Sequence, residues 1–423
     1  MPQRGPLAVS VPGLVAALGQ ALERFGTLTF AQVLEPAIAL AEDGVAIDAA
    51  ALGFFNGPIY AGLAADYPAL AAVFGAPGGW QLGRRLKQPA AARTLRRLAA
   101  AGWRDFYGGP LAQDWLTAAR GAGVLLNARD LAAHRTAFVP ALSVAWRGRR
   151  VHAPPPNSQG LALLALLGLA EAQPAGPPRD GSDPLIDPLA FLRHKRAAFA
   201  LREAYCADPR RVAVPHDLLD PCILAGLALA DAAEGRSGGG DTSTLVVIDR
   251  GGRAVSWAQS LFDEFGSGIV CPEEGIVLHN RAALERLDDD PVHGLRGGCR
   301  PFHTLCPALV CGAEGEIAAI ATPGDHGQPQ ILAQVLRRHF EQGLDIQAAI
   351  EWPRLRHDFG AEVMIEDRCP QIWDAALAAA GWQVRRVGPW SRLMGGVNAI
   401  VRRPDGLLMG GADPRRSSYA LAA

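Results

Sequence analysis

The sequence has almost no net charge. Its 41 Lys and Arg stand against 42 Asp and Glu, a formal charge of -1 at pH 7. That balance excludes a general electrostatic attraction to nucleic acid or to an anionic membrane, both of which need a basic surplus, and leaves a small molecule as the expected partner. Long hydrophobic runs are also missing. The longest apolar stretch, Gly160 to Ala170, falls well short of the about 20 residues a membrane-spanning helix takes, so it reads as a buried helix. Cysteine is sparse and unpatterned: Cys206, Cys222, Cys271, Cys299, Cys306, Cys311 and Cys369 are odd in number and form no Cys-x-x-Cys, which argues against a disulfide framework and against a zinc site. There is no P-loop, no Gly-x-Gly-x-x-Gly after a strand and no His-Glu-x-x-His, so no metal or organic cofactor is called for. The N-terminal Met-Pro-Gln-Arg-Gly-Pro lacks the apolar core and small-residue cleavage site of a secretory signal, which predicts a cytoplasmic chain.

What the sequence does contain is the composition of a folded protein: 423 residues, 49% hydrophobic and 20% charged, with 48 Gly and 32 Pro. Those glycines and prolines point to many tight turns, and the length suffices for a large core. The first part reads as mostly helical. Leu14, Val15, Leu18, Leu22 and Phe25 recur at three- and four-residue spacing on one face of a helix that ends at Gly26, and Thr29 with Gln32 has capping-box spacing ahead of a second helix. Residues 91–101 and 111–120 read as further helices, Leu142 to Trp146 as a strand, and residues 173–187 as a Pro/Gly/Asp-rich linker.

After Ser237 the pattern changes to strands. Thr244 to Asp249 and Ala254 to Ser260 flank Arg250-Gly251-Gly252, a hairpin signal. Further strands are expected at Gly275–Leu278, Ala308–Val310, Ile317–Ala321, Val363–Glu366, Val384–Val387 and Asn398–Arg402, with helices at Ile331–Gln342 and Gln371–Ala380. The fold class is therefore α+β, with a boundary near residue 240.

Thr242 follows Gly238-Gly239-Gly240-Asp241 and opens the first of these strands. Read alone, the run is most simply a loop entering a strand. The chemical alternative is that Thr242 becomes a new N-terminus, whose α-amine can take the proton from its own hydroxyl as that hydroxyl attacks a carbonyl. Four later segments join Gly or Pro to polar side chains beside a strand: Glu264-Phe265-Gly266-Ser267-Gly268, Arg300-Pro301-Phe302-His303-Thr304, Thr322 to Gln330, and Gly410 to Arg416. Loops of this kind present backbone N–H groups and side chains to ligands, although any one of them is more often an ordinary turn.

Gly240-Asp241-Thr242, Val247-Ile248-Asp249, Gly266-Ser267-Gly268, Gly275-Ile276-Val277-Leu278, Arg300-Pro301-Phe302-His303-Thr304 and Gly411-Ala412-Asp413-Pro414-Arg415 occur in order. Val11-Pro12-Gly13, Tyr107-Gly108-Gly109 and Pro155-Pro156-Asn157-Ser158-Gln159-Gly160 precede them. This set resembles the γ-glutamyltransferase (γ-glutamyltranspeptidase) family of N-terminal-nucleophile hydrolases across nearly the whole chain. The resemblance implies an αββα sandwich built jointly by two fragments, with self-cleavage between Asp241 and Thr242 into a mostly helical 1–241 and a β-rich 242–423. It implies Thr242 as nucleophile and Ser260, where the family places a threonine, as the hydrogen-bond partner of its hydroxyl; alone, Ser260 is equally an exposed strand residue. Gly324 and Asp325 match the two glycines whose N–H groups bind the oxyanion.

The same resemblance implies a small-molecule amide substrate, γ-glutamyl or another acidic acyl donor. Arg281 and Leu284 stand where the transpeptidases hold the donor's α-ammonium group; Leu284 cannot bind an ammonium and Arg281 suits a carboxylate instead; alone, Arg281 is equally a surface residue. His303 and Thr304 replace paired serines and are expected to contact the substrate in the manner of amidohydrolase and acylase branches, although a lone histidine there is equally a structural hydrogen-bonder. Asp325 adds a Cβ and a carboxylate where the family has glycine, an expected burden on turnover. The family's N-terminal glycine-rich stretch, with its carboxylate-gripping arginine, has no counterpart before Val11. The expectation is a shortened chain or a misplaced start, with a periplasmic or secreted location open to a longer form and an inactive binding homologue as the rival reading.

Overall fold

The computed structural model describes residues 1–172, 183, 185–227 and 241–422. The run Gly238–Gly240 and most of the 173–187 linker lie outside these. The chain forms two compact units. They are a different division from the fragments 1–241 and 242–423, because residues 261–287 and 295–298 join residues 1–138 in the first unit.

The first unit is helical. α1 (Leu14–Phe25) and α2 (Phe30–Asp43) are followed by α3 (Pro89–Ala101) and α4 (Pro110–Gly121). Thr29 and Gln32 form the capping box read from their spacing: Thr29 Oγ1 accepts from the Gln32 N–H, and Gln32 Oε1 accepts from the Thr29 N–H. Trp115, Leu111, Phe106, Ile269 and Cys271 make a buried cluster, so strand segments from beyond residue 260 complete a helical core. Arg281 is in this unit. It is buried, in a single 3-10 turn, with its guanidinium over the Phe262 ring at 4.6 Å, and its backbone N–H donates to His279 Nδ1. The surface alternative is thereby corrected: burying a guanidinium on a ring face removes it from bulk water.

The second unit is built on a six-stranded antiparallel sheet. In chain order its strands are β1 (Leu142–Trp146), β2 (Arg149–Ala153), then, after a hairpin of β3 (Asp241–Ile248) and β4 (Ala254–Phe262), β5 (Ala308–Gly312), β6 (Ile317–Ala321), β7 (Asn398–Arg402) and β8 (Leu408–Ala412). The spatial order is β8-β7-β6-β5-β2-β1. Helices α5 (Gly160–Ala172), α6 (Pro188–Tyr205), α7 (Gln328–Phe340) and α8 (Ile346–Glu351) complete it. The stretch from Gly160 to Ala170 is buried throughout, as its composition predicts.

Period-2 alternation separates the two faces of the sheet. Val144, Val151, Val310, Ala318 and Val401 align across it in register and are all buried. A Cβ at Gly168 of α5 would meet Val144, and one at Gly411 would meet Ile350 of α8, so this face is covered by helices. Ile317, Asn398 and Arg402 point the other way, towards the β3–β4 hairpin. A Cβ at Gly252, in the hairpin turn, would sit 3.7 Å from Ile317 and 3.9 Å from Arg402, and Asn398 Nδ2 donates to Thr244 Oγ1 at 2.9 Å. Helices, six-stranded sheet and hairpin thus stack in that order within the α+β fold.

Candidate active site

The hairpin register places Thr242. Asp249 N–H donates to Arg253 O at 3.0 Å, and Gly252, at φ +82, closes the turn by donating to Asp249 O. A ladder continued from that bond sets Thr242 opposite Ser260, in a pair not hydrogen-bonded through the backbone, where facing side chains come closest. Both residues lie on the side of the hairpin that carries Thr244, facing the sheet.

Their position along the sheet follows from three contacts. Gly252 lies at Ile317, the first residue of β6, and Ser256 Oγ donates to Ile320 O at 2.8 Å. Thr244 meets Asn398, which pairs with Ala321, the last residue of β6. Thr242 is two residues further on, about 6–7 Å at the usual strand rise. It and Ser260 therefore project past the C-terminal end of β6, where the chain turns through Thr322, Gly324 and Asp325 into α7.

That turn is unusual. Gly324 has φ +129 and Asp325 φ +52. The latter is a conformation an aspartate holds at a cost of about 1–2 kcal/mol, so the Cβ that was expected to resist positive φ is accommodated with strain. Asp325 is buried, and its carboxylate faces His326 Nε2 at 3.9 Å. Arg202 Nη1 lies 2.8 Å from His326 Nδ1. A guanidinium can only donate, so Nδ1 accepts and Nε2 carries the proton that faces Asp325. Arg356, bidentate to Asp358, is buried beside the turn, where a Cβ at Gly327 would meet its side chain. The Asp325 carboxylate therefore faces the His326 N–H, with Arg356 nearby but already paired with Asp358.

Two motifs that stand far apart in sequence are zipped together. His303 N–H donates to Asn157 O, Ser158 Oγ donates to Leu305 O, and Asn157 Nδ2 donates to Pro301 O. His303 is half-buried and Thr304 fully buried. Gln159 reaches further: its Nε2 donates to Thr304 O at 2.5 Å and to Asp325 O at 2.8 Å. Gly324, Asp325, His303 and Thr304 are thereby brought into one neighbourhood of the second unit, whereas Arg281 belongs to the first.

A buried charge network braces the next loop. Asp413 accepts from Arg354 at 2.8 Å and from the Val397 N–H at 2.9 Å, while Arg354 also donates to Met394 O. Arg415 is bidentate to Glu366 and reaches Asp413 at 3.1 Å. Burial pulls the Asp413 carboxyl up, but Arg354 and Arg415 outweigh it and hold it below its ordinary range. Between Met394 and Val397, Gly395 (φ +85) has no room for a Cβ, which would lie 2.7 Å from Thr322 Oγ1; Gly396 N–H donates to that same oxygen. The Asp413-Pro414-Arg415 motif thus fixes the loop that presses on Thr322 and Gly324. Sequence reading noticed the motif but not this role, nor Gln159, Arg202 or Gly395; only the Gly395-Gly396 pair and the quoted Asn157-Ser158-Gln159 run offered a signal.

No group of His, Cys, Asp and Glu suited to a metal occurs among the described residues, nor any helix among them long and apolar enough to cross a membrane. The sequence profile described as gamma-glutamyltranspeptidase matches residues 1–423. The chain is 34% identical over 445 residues to the oxamate amidohydrolase proenzyme of Klebsiella pneumoniae, covering 99% of this chain and 82% of that one. It is 34% identical over 434 residues to a glutathione hydrolase-like proenzyme of Bacillus subtilis, covering 100% and 82%. Among solved structures, the cephalosporin acylase from Bacillus halodurans superposes with a TM-score of 0.87 at 27% identity, covering 99% of this chain and 79% of that one.

Proposed function

Since the chain belongs to the gamma-glutamyltranspeptidase family of amide-cleaving enzymes, we propose that it is a proenzyme that cuts itself between Asp241 and Thr242 and then uses Thr242 as an N-terminal nucleophile. In maturation the Thr242 hydroxyl attacks the Asp241 carbonyl, the Asp241–Thr242 C–N bond breaks to free the α-amine and leave an ester on Oγ1, and water hydrolyses that ester to release the hydroxyl and the Asp241 carboxylate. In turnover that amine, with a reference pKa of about 7.7–8.0, takes the hydroxyl proton as Oγ1 attacks the substrate's amide carbon. It returns the proton to the departing nitrogen. The acyl-Thr242 ester is then resolved by water or by an amine. Ser260 hydrogen-bonds the attacking hydroxyl, and the N–H groups of Gly324 and Asp325 bind the oxyanion, a contribution of about 3–4 kcal/mol per donor.

The observation that supports this reading is the Asp249–Arg253 hairpin turn, from which a regular ladder would bring Thr242 opposite Ser260 past the end of β6. A small acidic acyl donor is favoured over a γ-glutamyl one by Leu284, which has no charge for an ammonium group, and by Arg281, which suits a carboxylate; His303 and Thr304 supply further substrate contacts. The similarity to an oxamate amidohydrolase proenzyme supports the same choice. The partners are then a small amide and the chain's own two fragments.

Denaturing electrophoresis with N-terminal sequencing tests it. Wild-type protein is expected to resolve into 1–241 and 242–423, the second beginning at Thr242, while Thr242→Ala stays whole and turns over no amide. A wild-type chain that remains intact on long incubation and is inert sinks the proposal. Of oxamate, glutaryl amides and γ-glutamyl anilide, the last is expected to be the poorest donor.

A further inference from the structure

Among the buried polar side chains of the second unit, one joins the two loops that hold candidate site residues, and nothing in the proposed chemistry uses it. Gln159 is fully buried. Its two amide hydrogens go to two carbonyls: Thr304 O at 2.5 Å and Asp325 O at 2.8 Å. Its Oε1 accepts from Arg202 Nη1 at 3.2 Å, and the same Arg202 nitrogen meets His326 Nδ1 at 2.8 Å. Only one orientation of the amide satisfies all of these, because carbonyls accept and a guanidinium donates.

The location of these partners matters more than their number. Thr304 ends the segment that pairs with Ser158, and Asp325 is the second residue of the positive-φ turn. Gln159 therefore sets the separation between a substrate-contacting loop and the turn whose N–H groups face the reacting carbonyl. A peptide plane is rigid, so holding the Asp325 carbonyl fixes the plane shared with the next residue and resists rotation at Asp325, which has no steric reason to remain at φ +52. Gln159 lies before the proposed cut and both carbonyls lie after it, so the clamp would also tie the two fragments together once the chain is severed.

We infer that Gln159 is a positioning residue that holds the Thr304 loop and the Asp325 turn in catalytic register through its two donated hydrogen bonds. The inference rests on the Thr242 reading above. A shift of this kind moves oxyanion donors by fractions of an ångström, and misplacement of about 1 Å costs on the order of 10²-fold in rate.

The test compares Gln159→Met and Gln159→Glu with Gln334→Met. Gln334 is a matched control: it is buried, its Nε2 donates to Gln330 O and Leu355 O, its Oε1 accepts from Leu355 N–H, and it touches neither loop. Each variant is measured for thermal midpoint, self-cleavage and, on the cut fraction, kcat and KM. Both Gln159 variants are expected to lose kcat by about 10²-fold with KM within about threefold, while Gln334→Met lowers the midpoint but keeps kcat within about twofold. Gln159→Glu keeps the acceptor for Arg202 and loses both donors, so it separates the clamp from the Arg202 contact and serves if Gln159→Met fails to fold. A folded Gln159 variant that stays uncut beside a cut Gln334→Met also supports the inference. Normal kcat in Gln159→Glu, or kcat losses that match Gln334→Met, overturns the inference alone. A wild type that neither cuts itself nor turns over an amide overturns the Thr242 reading and this inference with it.

Discussion

Ion pairs drawn from the two units sit in contrasting surroundings. In the first, Arg96–Glu42, Arg97–Asp114 and Arg104–Glu23 stand in solvent, every side chain at least 40% exposed. In the second, Arg354–Asp413 and Arg415–Glu366 are at most 1% exposed. Exposed pairs contribute about 0–1 kcal/mol. Buried ones gain little over apolar packing, yet breaking one strands a charge in the interior. Stability therefore does not explain the second arrangement. Its partners do: Val397 N–H and Met394 O, on either side of the Gly395-Gly396 loop that presses on Thr322. The second unit uses buried charge to fix loops at the end of β6, whereas the first unit's three surface pairs contribute little.

The strongest way to break that comparison is Asp413→Asn. It leaves Arg354 and Arg415 short of a counter-charge, so unfolding free energy is expected to fall by about 3–5 kcal/mol in a denaturant titration, and kcat to fall with it. A loss below about 1 kcal/mol would place the network with the surface pairs and remove the contrast.

Acid should affect both units, because each holds a histidine that its surroundings make harder to protonate. His279 is lowered to about 4 by burial and by Arg281, and His357 to about 4 by burial and by Lys195. Above pH 6.5 both are neutral folded or unfolded, and stability is full. As pH falls from 6.5 towards 4 the unfolded chain binds the proton first, so stability is lost across that window, by roughly 3 kcal/mol per histidine. Chemical denaturation at pH 7, 5.5 and 4 measures this. His279→Gln and His357→Gln should each flatten the profile, and a profile unchanged by either would remove that unit's share.

A smaller effect tests the turn itself. Asp325→Gly removes a strained φ and a carboxylate beside the proposed oxyanion site, so kcat is expected to rise by about three- to tenfold, or roughly 1 kcal/mol. A fall in kcat would show instead that the carboxylate serves the reaction.

Which parts were legible in the sequence follows the range of the forces involved. β6 was read with its correct ends, Ile317–Ala321, because a short apolar run closed by Thr322-Pro323 is a local signal. The capping box of α2 is equally local. β2 was missed because it opens on Arg149-Arg150, whose charges hide the buried alternation of Val151 and Ala153. β8 was missed because Gly410-Gly411 reads as a loop, whereas Gly411 is glycine to admit Ile350 of α8. Thr242 and Ser260 are proposed through a family resemblance, and the register that would pair them follows from the Asp249–Arg253 turn. Gln159 was legible only as part of a motif, since its role exists only once residues 159, 304 and 325 meet.

The mildest prediction closes the comparison from the first unit's side. Arg96 grips Glu42 through Nε and Nη2 at 2.8–2.9 Å and links α3 to α2, a geometry as good as that of Arg415 on Glu366. If geometry alone set the strength of an ion pair, the two would be equal. Water decides otherwise, because both Arg96 and Glu42 are solvated when apart and lose little by separating. Arg96→Ala is expected to cost less than about 0.5 kcal/mol, with a double-mutant coupling to Glu42→Ala of the same size. The corresponding Arg354–Asp413 cycle should return a coupling several times larger. Equal couplings would mean that burial adds nothing, and that the fixed loops at the end of β6 owe their order to packing around Gly395.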